Sequence, residues 1–121
     1  MSESLSTQPG QTNINTALLT LAVDEGDWQP IHTGVERKLL ARDGGEESYL
    51  LRLSAGASIP AHAHPADEET LVVEGDFCIG ELRLKTGDFH FAAATSTHPV
   101  LRSDQGALLF VRYAQPNVSG Q

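Results

Sequence analysis

The sequence predicts an all-β domain whose short strands close into a barrel or sandwich. Apolar segments alternate with turn signals about every 8 to 12 residues along the middle of the chain. No window keeps a helical period of apolar residues over three turns. The length of 121 residues suits one domain with a single core. Together these observations favour a small β architecture over a helical one.

The strand predictions follow the apolar segments in chain order. Turn-forming clusters rich in Gly and Asp separate them, as at Asp43-Gly44-Gly45, Glu74-Gly75-Asp76 and Thr86-Gly87-Asp88. Residues 1–15 and 115–121 are mostly polar and are predicted to be a flexible arm and tail around a domain of residues 16–114. The predicted strands are residues 17–23, 34–40, 48–53, 58–62, 70–74, 77–84, 88–92, 100–102 and 107–113.

Charge and composition exclude several classes of function. A net charge of -8 and a pI near 4.9 work against binding to nucleic acid, which rewards clustered Lys and Arg. No apolar run approaches the roughly 20 residues of a membrane helix, and the N-terminus lacks the features of a secretory signal. We therefore expect a cytoplasmic protein without a membrane partner. The single Cys78 lies in an apolar segment and is expected to be a small buried hydrophobe.

The segment from Gly56 to Gly75 has the features of a metal site. His62 and His64 are separated by one residue, so on an extended backbone both imidazoles point to the same side. The pair Glu68-Glu69 follows a turn-prone Pro65-Ala66-Asp67 and can add a carboxylate oxygen. Histidine and carboxylate together suit iron, manganese, nickel, copper or zinc.

A further ligand is expected elsewhere in the chain, and His98 is the best candidate. It follows an aromatic, strand-like run that begins after the glycine turn at Gly87, and Pro99 comes directly after it. A barrel would bring His98 to face the other two histidines, because it places strands that are distant in sequence opposite one another.

These residues and their spacing resemble the cupin superfamily. The first cupin motif is matched by the residues Gly56, His62, His64, Glu68 and Gly75, and the second by Gly87 and His98. The resemblance covers residues 17 to 114 and implies a jelly-roll barrel with one divalent metal, Fe²⁺, Zn²⁺, Mn²⁺ or Ni²⁺. It also selects Glu68 rather than Glu69, because six residues then separate the carboxylate from Gly75.

The second motif departs from the family pattern at three positions. Ala93 and Thr95 stand where Pro and Gly are usual, and Arg102 stands where Asn is usual. We therefore expect a differently shaped loop before His98.

Within the cupins, the chain is similar to the small ChrR-like branch. That branch includes the sensory domain of zinc-dependent anti-sigma factors and the dioxygenases that cleave acetylacetone. The first hypothesis is therefore a metal-dependent dioxygenase acting on a small dicarbonyl or phenolic compound, with open coordination positions for oxygen and an enolate. Isomerase or lyase chemistry would use the same ligands.

The second hypothesis is a zinc-binding sensory or regulatory module, in which four ligands close around the metal. About 16 residues precede the first predicted strand, so we expect the chain to lack the N-terminal helical domain of the anti-sigma relatives. The third alternative is a barrel with vestigial histidines that binds no metal. Exposed edge strands predict a homodimer in each case.

The wall of the cavity is predicted less directly. Tyr49, Leu51, Phe77, Phe91 and Phe110 are the candidate wall residues. His90 alternates with two phenylalanines and is expected to face solvent or to form a local hydrogen bond, and Trp28 to cover an end of the barrel or a dimer contact. Whether Arg52, Arg102 or Arg112 faces inward is left open by the pattern.

Overall fold

The structure is a computed structural model that describes residues 19–115. Within that range the chain forms eleven strands and no helix, which confirms the all-β prediction. No helix in this part of the chain is therefore long and apolar enough to cross a membrane. The strands are β1 (Trp28–His32), β2 (Val35–Asp43), β3 (Glu46–Leu53), β4 (Ser58–Ile59), β5 (His62–Ala63), β6 (Asp67–Ile79), β7 (Leu82–Lys85), β8 (Phe89–Ala92), β9 (Thr97–His98), β10 (Leu101–Arg102) and β11 (Ala107–Ala114).

The long strand β6 joins the two halves of a nearly closed barrel. Its first half pairs with β11 and β8, and its second half pairs with β7 and β10. The order of strands is β1-β2-β3-β11-β6-β10-β4, and all of these pairings are antiparallel. A separate two-stranded ladder of β5 and β9 carries His62 and His98. The barrel is the jelly-roll type expected of a cupin.

The core fills the space between the two halves. Val35, Leu53, Val72 and Leu109 are at most 2% exposed and come from four different strands. Strand alternation places these four side chains inward and so also fixes which side chains of the same strands can reach the cavity. Cys78 is also buried, at 2% exposure, but it lies outside this core cluster, which contains its neighbours Phe77 and Ile79.

Several strand boundaries differ from the predictions. Residues 19–23 of the first predicted strand are irregular, whereas residues 17 and 18 lie outside the described range. The first strand is instead β1, which contains Trp28 and Pro30. The predicted strand 77–84 is divided by a turn at Gly80-Glu81. The predicted arm lies outside the described residues, and of the predicted tail only Gln115 is described.

The predicted turn at Glu74-Gly75-Asp76 is wrong, because β6 passes through it. The Asp76 carboxylate is hydrogen-bonded to the loop that follows β10. It accepts from the backbone N–H groups of Asp104 (3.0 Å) and Gln105 (2.8 Å) and from the Ser103 hydroxyl (3.0 Å). Partial burial opposes ionisation of Asp76, but these hydrogen bonds and Arg83 hold its pKa below the usual value. A polar residue can therefore continue the strand at the point where the sequence suggests a turn.

Candidate metal centre

The predicted ligand residues converge at one end of the barrel. His62 lies directly opposite His98 in the β5–β9 ladder. His64 follows β5, and Glu68 is the second residue of β6. Four residues from three separate segments are thus brought to the same end of the cavity.

Three of these side chains form a close cluster of donor atoms. One donor atom each from His64, Glu68 and His98 lies within 4.8 Å of the others. His64 and His98 are each 5% exposed, and the Glu68 side chain is 17% exposed. Nε2 of His98 lies 3.0 Å from Oε1 of Glu68, within hydrogen-bonding distance. The carboxylate of Glu68, which the family resemblance selects, is thus the one that lies within the cluster with His64 and His98.

His62 lies next to this cluster but outside it. Its ring centroid is 5.2 Å from that of His98 and 6.3 Å from that of His64, and its side chain is exposed. The geometry therefore distinguishes three buried or half-buried donors from one histidine at the rim.

Backbone contacts set the orientation of two of the rings. Nδ1 of His64 donates to the carbonyl of Ala66 (2.6 Å), and Nδ1 of His62 donates to the carbonyl of Pro60 (2.9 Å). A carbonyl can only accept, so in the neutral form of each ring the proton is on Nδ1 and Nε2 carries the lone pair. The Ser96 hydroxyl lies 3.4 Å from Nε2 of His64, but it donates its proton to the carbonyl of Ala93. A proton on Nδ1 and a lone pair on Nε2 form the arrangement in which protein histidines bind metals. The donor set therefore fits a divalent transition metal.

A loop of residues 93–96 positions His98 relative to His64. The N–H of Thr95 donates to the carbonyl of His64 (2.9 Å), and the N–H of Ala94 donates to the carboxylate of Asp67 (2.7 Å). Thr95 has a φ of 70°, in the left-handed region that glycine adopts readily. Threonine thus keeps the backbone conformation favoured by the glycine that is usual here, so the expected change of shape is not seen at this position.

A cavity of about 150 Å³ opens onto the cluster. Glu68, His98 and the rim residue His62 contribute to its wall, together with Tyr49, Thr70 and His90. The remaining wall is apolar and consists of Ile31, Leu51, Ile59, Phe77, Leu101, Leu109 and Val111. The cavity can therefore enclose a compact, largely apolar molecule beside the donor cluster.

The structure places His90 inside the cavity, so the expectation that it faces solvent is wrong. Phe89 and Phe91 are 58% and 51% exposed, whereas His90 is half-buried and its ring centroid lies 6.1 Å from that of His98. In the β6–β8 pairing His90 lies opposite the buried residue Thr70. The pairing with Thr70 shows that His90 points inward, but this pairing is known only from the register of the two strands in the structure.

Two titratable groups of the wall have shifted pKa values. Burial lowers the pKa of His90, the nearby His98 lowers it further, and Glu68 opposes the change. Burial also raises the pKa of the Tyr49 hydroxyl, with an added contribution from the negative charge of Glu68. Both side chains are therefore neutral at pH 7 and offer hydrogen bonds without charge.

The other candidate wall residues divide into two groups. Tyr49, Leu51 and Phe77 line the cavity, whereas Phe91 and Phe110 do not. Alternation explains the difference, because Phe110 pairs with Leu71 and Leu50 on the outer face of the sheet, and Phe91 flanks the inward His90.

The three arginines do not line the cavity. Arg52 pairs with Glu36 (2.6 Å) and stacks over Trp28 at 3.9 Å from the ring centroid. Arg112 pairs with Glu46, and Arg102 contacts Asp104. Trp28 borders a larger hollow of about 700 Å³, whose wall contains none of the predicted ligands.

A second group of possible metal donors consists of Asp76, Cys78 and Asp104. The guanidinium of Arg83 contacts both carboxylates of this group, at 3.0 Å and 2.6 Å. Asp76 also accepts the loop hydrogen bonds described above. This group is therefore an ion-pair network that holds the loop after β10.

Comparisons with known proteins agree with this fold. The family described as "ChrR Cupin-like domain" matches residues 16–117. The pectin degradation protein KdgF of Dickeya dadantii (strain 3937) is 30% identical over 91 residues, which cover 71% of this chain and 83% of that protein.

Solved structures show the same fold. KdgF from Halomonas sp. superposes with a TM-score of 0.70 at 24% identity and covers 83% of this chain and 97% of its own. An acetylacetone dioxygenase from Acinetobacter johnsonii gives a TM-score of 0.73 at 15% identity and covers 88% of this chain and 83% of its own. At these identities the two structures support the fold alone.

Proposed function

Since this chain belongs to the ChrR-like cupin family, we propose that it is a metal-dependent, dioxygenase-type enzyme acting on a small dicarbonyl or phenolic compound. His62, His64, Glu68 and His98 would hold one divalent metal. The observation that carries the proposal is the small, mainly apolar cavity that opens onto Glu68 and His98. Its volume of about 150 Å³ suits a molecule with only a few carbon atoms.

The metal would act as a Lewis acid that lowers the pKa of an enol, and it would offer open coordination positions. The protein contributes orientation and the exclusion of water. The backbone contacts of His62 and His64 leave both Nε2 atoms directed away from their carbonyl partners. The apolar wall formed by Ile59, Leu101 and Val111 would surround the carbon skeleton of the substrate.

Charge at the cavity narrows the substrate class. No Lys or Arg of residues 19–115 lines the cavity, and Glu68 brings a carboxylate to it. An acidic compound would lack a cationic partner in the wall, apart from the metal itself. The cavity therefore favours an uncharged compound or a monoanionic enolate.

Oxygen consumption tests the proposal. Protein purified without a nickel column would be loaded with Fe²⁺ under argon, mixed with acetylacetone and followed with an oxygen electrode. We expect one O₂ to be consumed per diketone, and we expect this activity to be lost in Glu68→Gln and His98→Ala. His32→Ala is the matched control, because His32 is an exposed histidine on β1. Oxygen consumption that is equal in all variants, or absent with β-diketones and dihydroxyphenyl ketones alike, would contradict the proposal.

A non-oxidative reaction is the second candidate. The similarity to a pectin degradation protein, at 30% identity over 91 residues, favours isomerase or lyase chemistry on a carbonyl compound derived from a sugar. The same four ligands would hold the metal. Turnover of such a compound under argon, without oxygen consumption, would establish this candidate in place of the first.

A zinc-binding sensory or regulatory module is the non-catalytic alternative. Three histidines and one glutamate can complete a tetrahedral zinc site and leave no position for substrate. Stoichiometric Zn²⁺ in the purified protein, together with no turnover after Fe²⁺ loading, would favour it.

We further propose that the protein forms a homodimer through the outer face formed by the first half of β6 and by β8. Leu71 and Phe89 are paired across β6 and β8, and they are 40% and 58% exposed. Val73 and Phe91 extend the same face at 39% and 51% exposure. Contiguous apolar patches of this kind mark interaction sites on soluble proteins.

A further inference from the structure

Besides the three histidines among the predicted ligands, the site contains a fourth, His90, whose imidazole lines the cavity. It lies on β8 opposite Thr70, and its ring centroid is 6.1 Å from that of His98. Its donor atoms are not part of the close cluster of His64, Glu68 and His98. His90 therefore lines the cavity next to His98 without belonging to the donor cluster.

Hydrogen bonding distinguishes His90 from the other three histidines of the site. His62, His64 and His98 each use a ring nitrogen in a contact with the protein. Within residues 19–115 the His90 ring has no hydrogen-bond partner, although it is half-buried. Among the described residues no buried side-chain nitrogen or oxygen lacks a partner, so the ring nitrogens of His90 are reached by solvent from the cavity that the ring lines. They are therefore available to a molecule that fills the cavity and displaces that solvent.

In β8 the inward-facing position is occupied by His90. Phe89 and Phe91 flank it, and both are more than half exposed on the outer face. The opposite alternation would have placed two aromatic rings in the apolar cavity and the imidazole in water. The polar side chain is thus directed at the space where the proposed substrate would lie.

We propose that His90 hydrogen-bonds the second oxygen of a ligand whose first oxygen is held at the donor cluster, so that the site selects compounds with two neighbouring oxygen functions. This inference rests on the proposed function. A neutral imidazole has one donor and one acceptor nitrogen, so it can pair with a carbonyl, a hydroxyl or an enol oxygen. Around these two polar poles the wall is mostly apolar, which suits a β-dicarbonyl or an ortho-hydroxyketone.

Ligand titrations of the Co²⁺-loaded protein test the inference without turnover. The proteins are the wild type, His90→Leu, His90→Gln and the control His32→Gln. Acetylacetone is the probe with two oxygens, and 2-pentanone is the probe with one. Shifts in the visible Co²⁺ bands report binding, and elemental analysis reports the amount of metal.

We expect all four proteins to bind the same amount of Co²⁺. The Kd for acetylacetone should rise about tenfold or more in His90→Leu, because a hydrogen bond to a charged or polarised oxygen is lost, and it should change less than about threefold in His90→Gln. The Kd for 2-pentanone should not change. If His90→Leu fails to fold, His90→Ala makes the same comparison.

Three outcomes would overturn the inference, and they separate it from the proposed function. Unchanged acetylacetone affinity in His90→Leu would remove the role of His90 and leave the proposed function standing. Loss of Co²⁺ from His90→Leu would make His90 a metal ligand instead. A wild-type protein that binds neither Co²⁺ nor acetylacetone would contradict the proposed function itself.

Discussion

At the scale of single residues, Gly75 shows why a motif position is restricted to glycine. Its φ is 93°, and a Cβ atom added there would overlap the carbonyl oxygen of Gly106 and lie 2.9 Å from the Cα of Ala107. Gly87 has the same φ of 93°, but a Cβ added there would meet nothing within 4 Å. The two motif glycines are therefore constrained in different ways.

Alanine substitution should separate these two constraints. Gly75→Ala is expected to lower the free energy of unfolding by about 3 kcal/mol or more, because backbone of β11 must move to accept the methyl group. Gly87→Ala should cost about 1 kcal/mol, the cost of a left-handed conformation alone. Urea denaturation measures both values. Equal losses would show that the close contact with Gly106 does not restrict this position.

Single-residue properties also limited what the sequence could predict about the site. His62, His64 and Glu68 lie close together in the chain, so their spacing was informative. His90 was assigned to the wrong face because two phenylalanines beside a histidine suggest that the aromatic rings point inward. The pairing of His90 with Thr70 decides its direction, and that pairing joins strands separated by β7 and the two turns that flank it.

At the scale of structural elements, the site depends on the contact between the start of β6 and the loop of residues 93–96. The Asp67 carboxylate accepts from the N–H of Ala94 at 2.7 Å, and the Thr95 N–H reaches the carbonyl of His64 at 2.9 Å. These bonds fix the distance between the segment that carries His64 and Glu68 and the strand that carries His98. Asp67 is therefore a positioning residue for the cluster.

Replacement of Asp67 should weaken metal binding while the ligands remain. For Asp67→Ala we expect about a tenfold loss of Zn²⁺ affinity, the lower end of the range for outer contacts of metal sites. Asp67→Asn is the matched control, because its amide oxygen can still accept from Ala94 and should retain most of the affinity. Competition with a chromophoric chelator measures the affinities. Wild-type affinity in Asp67→Ala would show that the loop is held without this bond.

The strands themselves were predicted with uneven success, for physical reasons. Segments with a run of apolar residues, such as β3 and β11, were found near their true limits. β1 was missed because Trp28, Gln29 and Pro30 do not alternate and Pro30 suggests a turn. The continuity of β6 could not be foreseen, because Asp76, the tenth of its 13 residues, accepts hydrogen bonds from a loop that lies 28 residues further along the chain.

At the scale of the whole molecule, the proposed dimer accounts for the exposed apolar residues on the outer face of β6 and β8. We expect light scattering to give twice the 13.0 kDa mass of the chain. Phe89→Glu combined with Phe91→Glu should reduce the mass to that of a monomer, because charge would be placed on an apolar interface. Leu82→Glu is the control, since Leu82 is 54% exposed but lies on β7, in the other half of the barrel. A monomeric wild-type protein would contradict the proposal.

The barrel as a whole brings two motifs together at one end, where we propose that they hold a metal. The measurement that tests this claim most directly is elemental analysis of the protein purified without chelator or nickel column, with protein concentration measured on the same sample. We expect close to one divalent metal per chain in the wild type and much less in His64→Ala and His98→Ala, with His32→Ala unchanged. Iron, manganese or nickel would favour the oxygenase proposal, and zinc the regulatory alternative. If the wild type contains no metal and takes up none on reconstitution, the proposed metal site is contradicted.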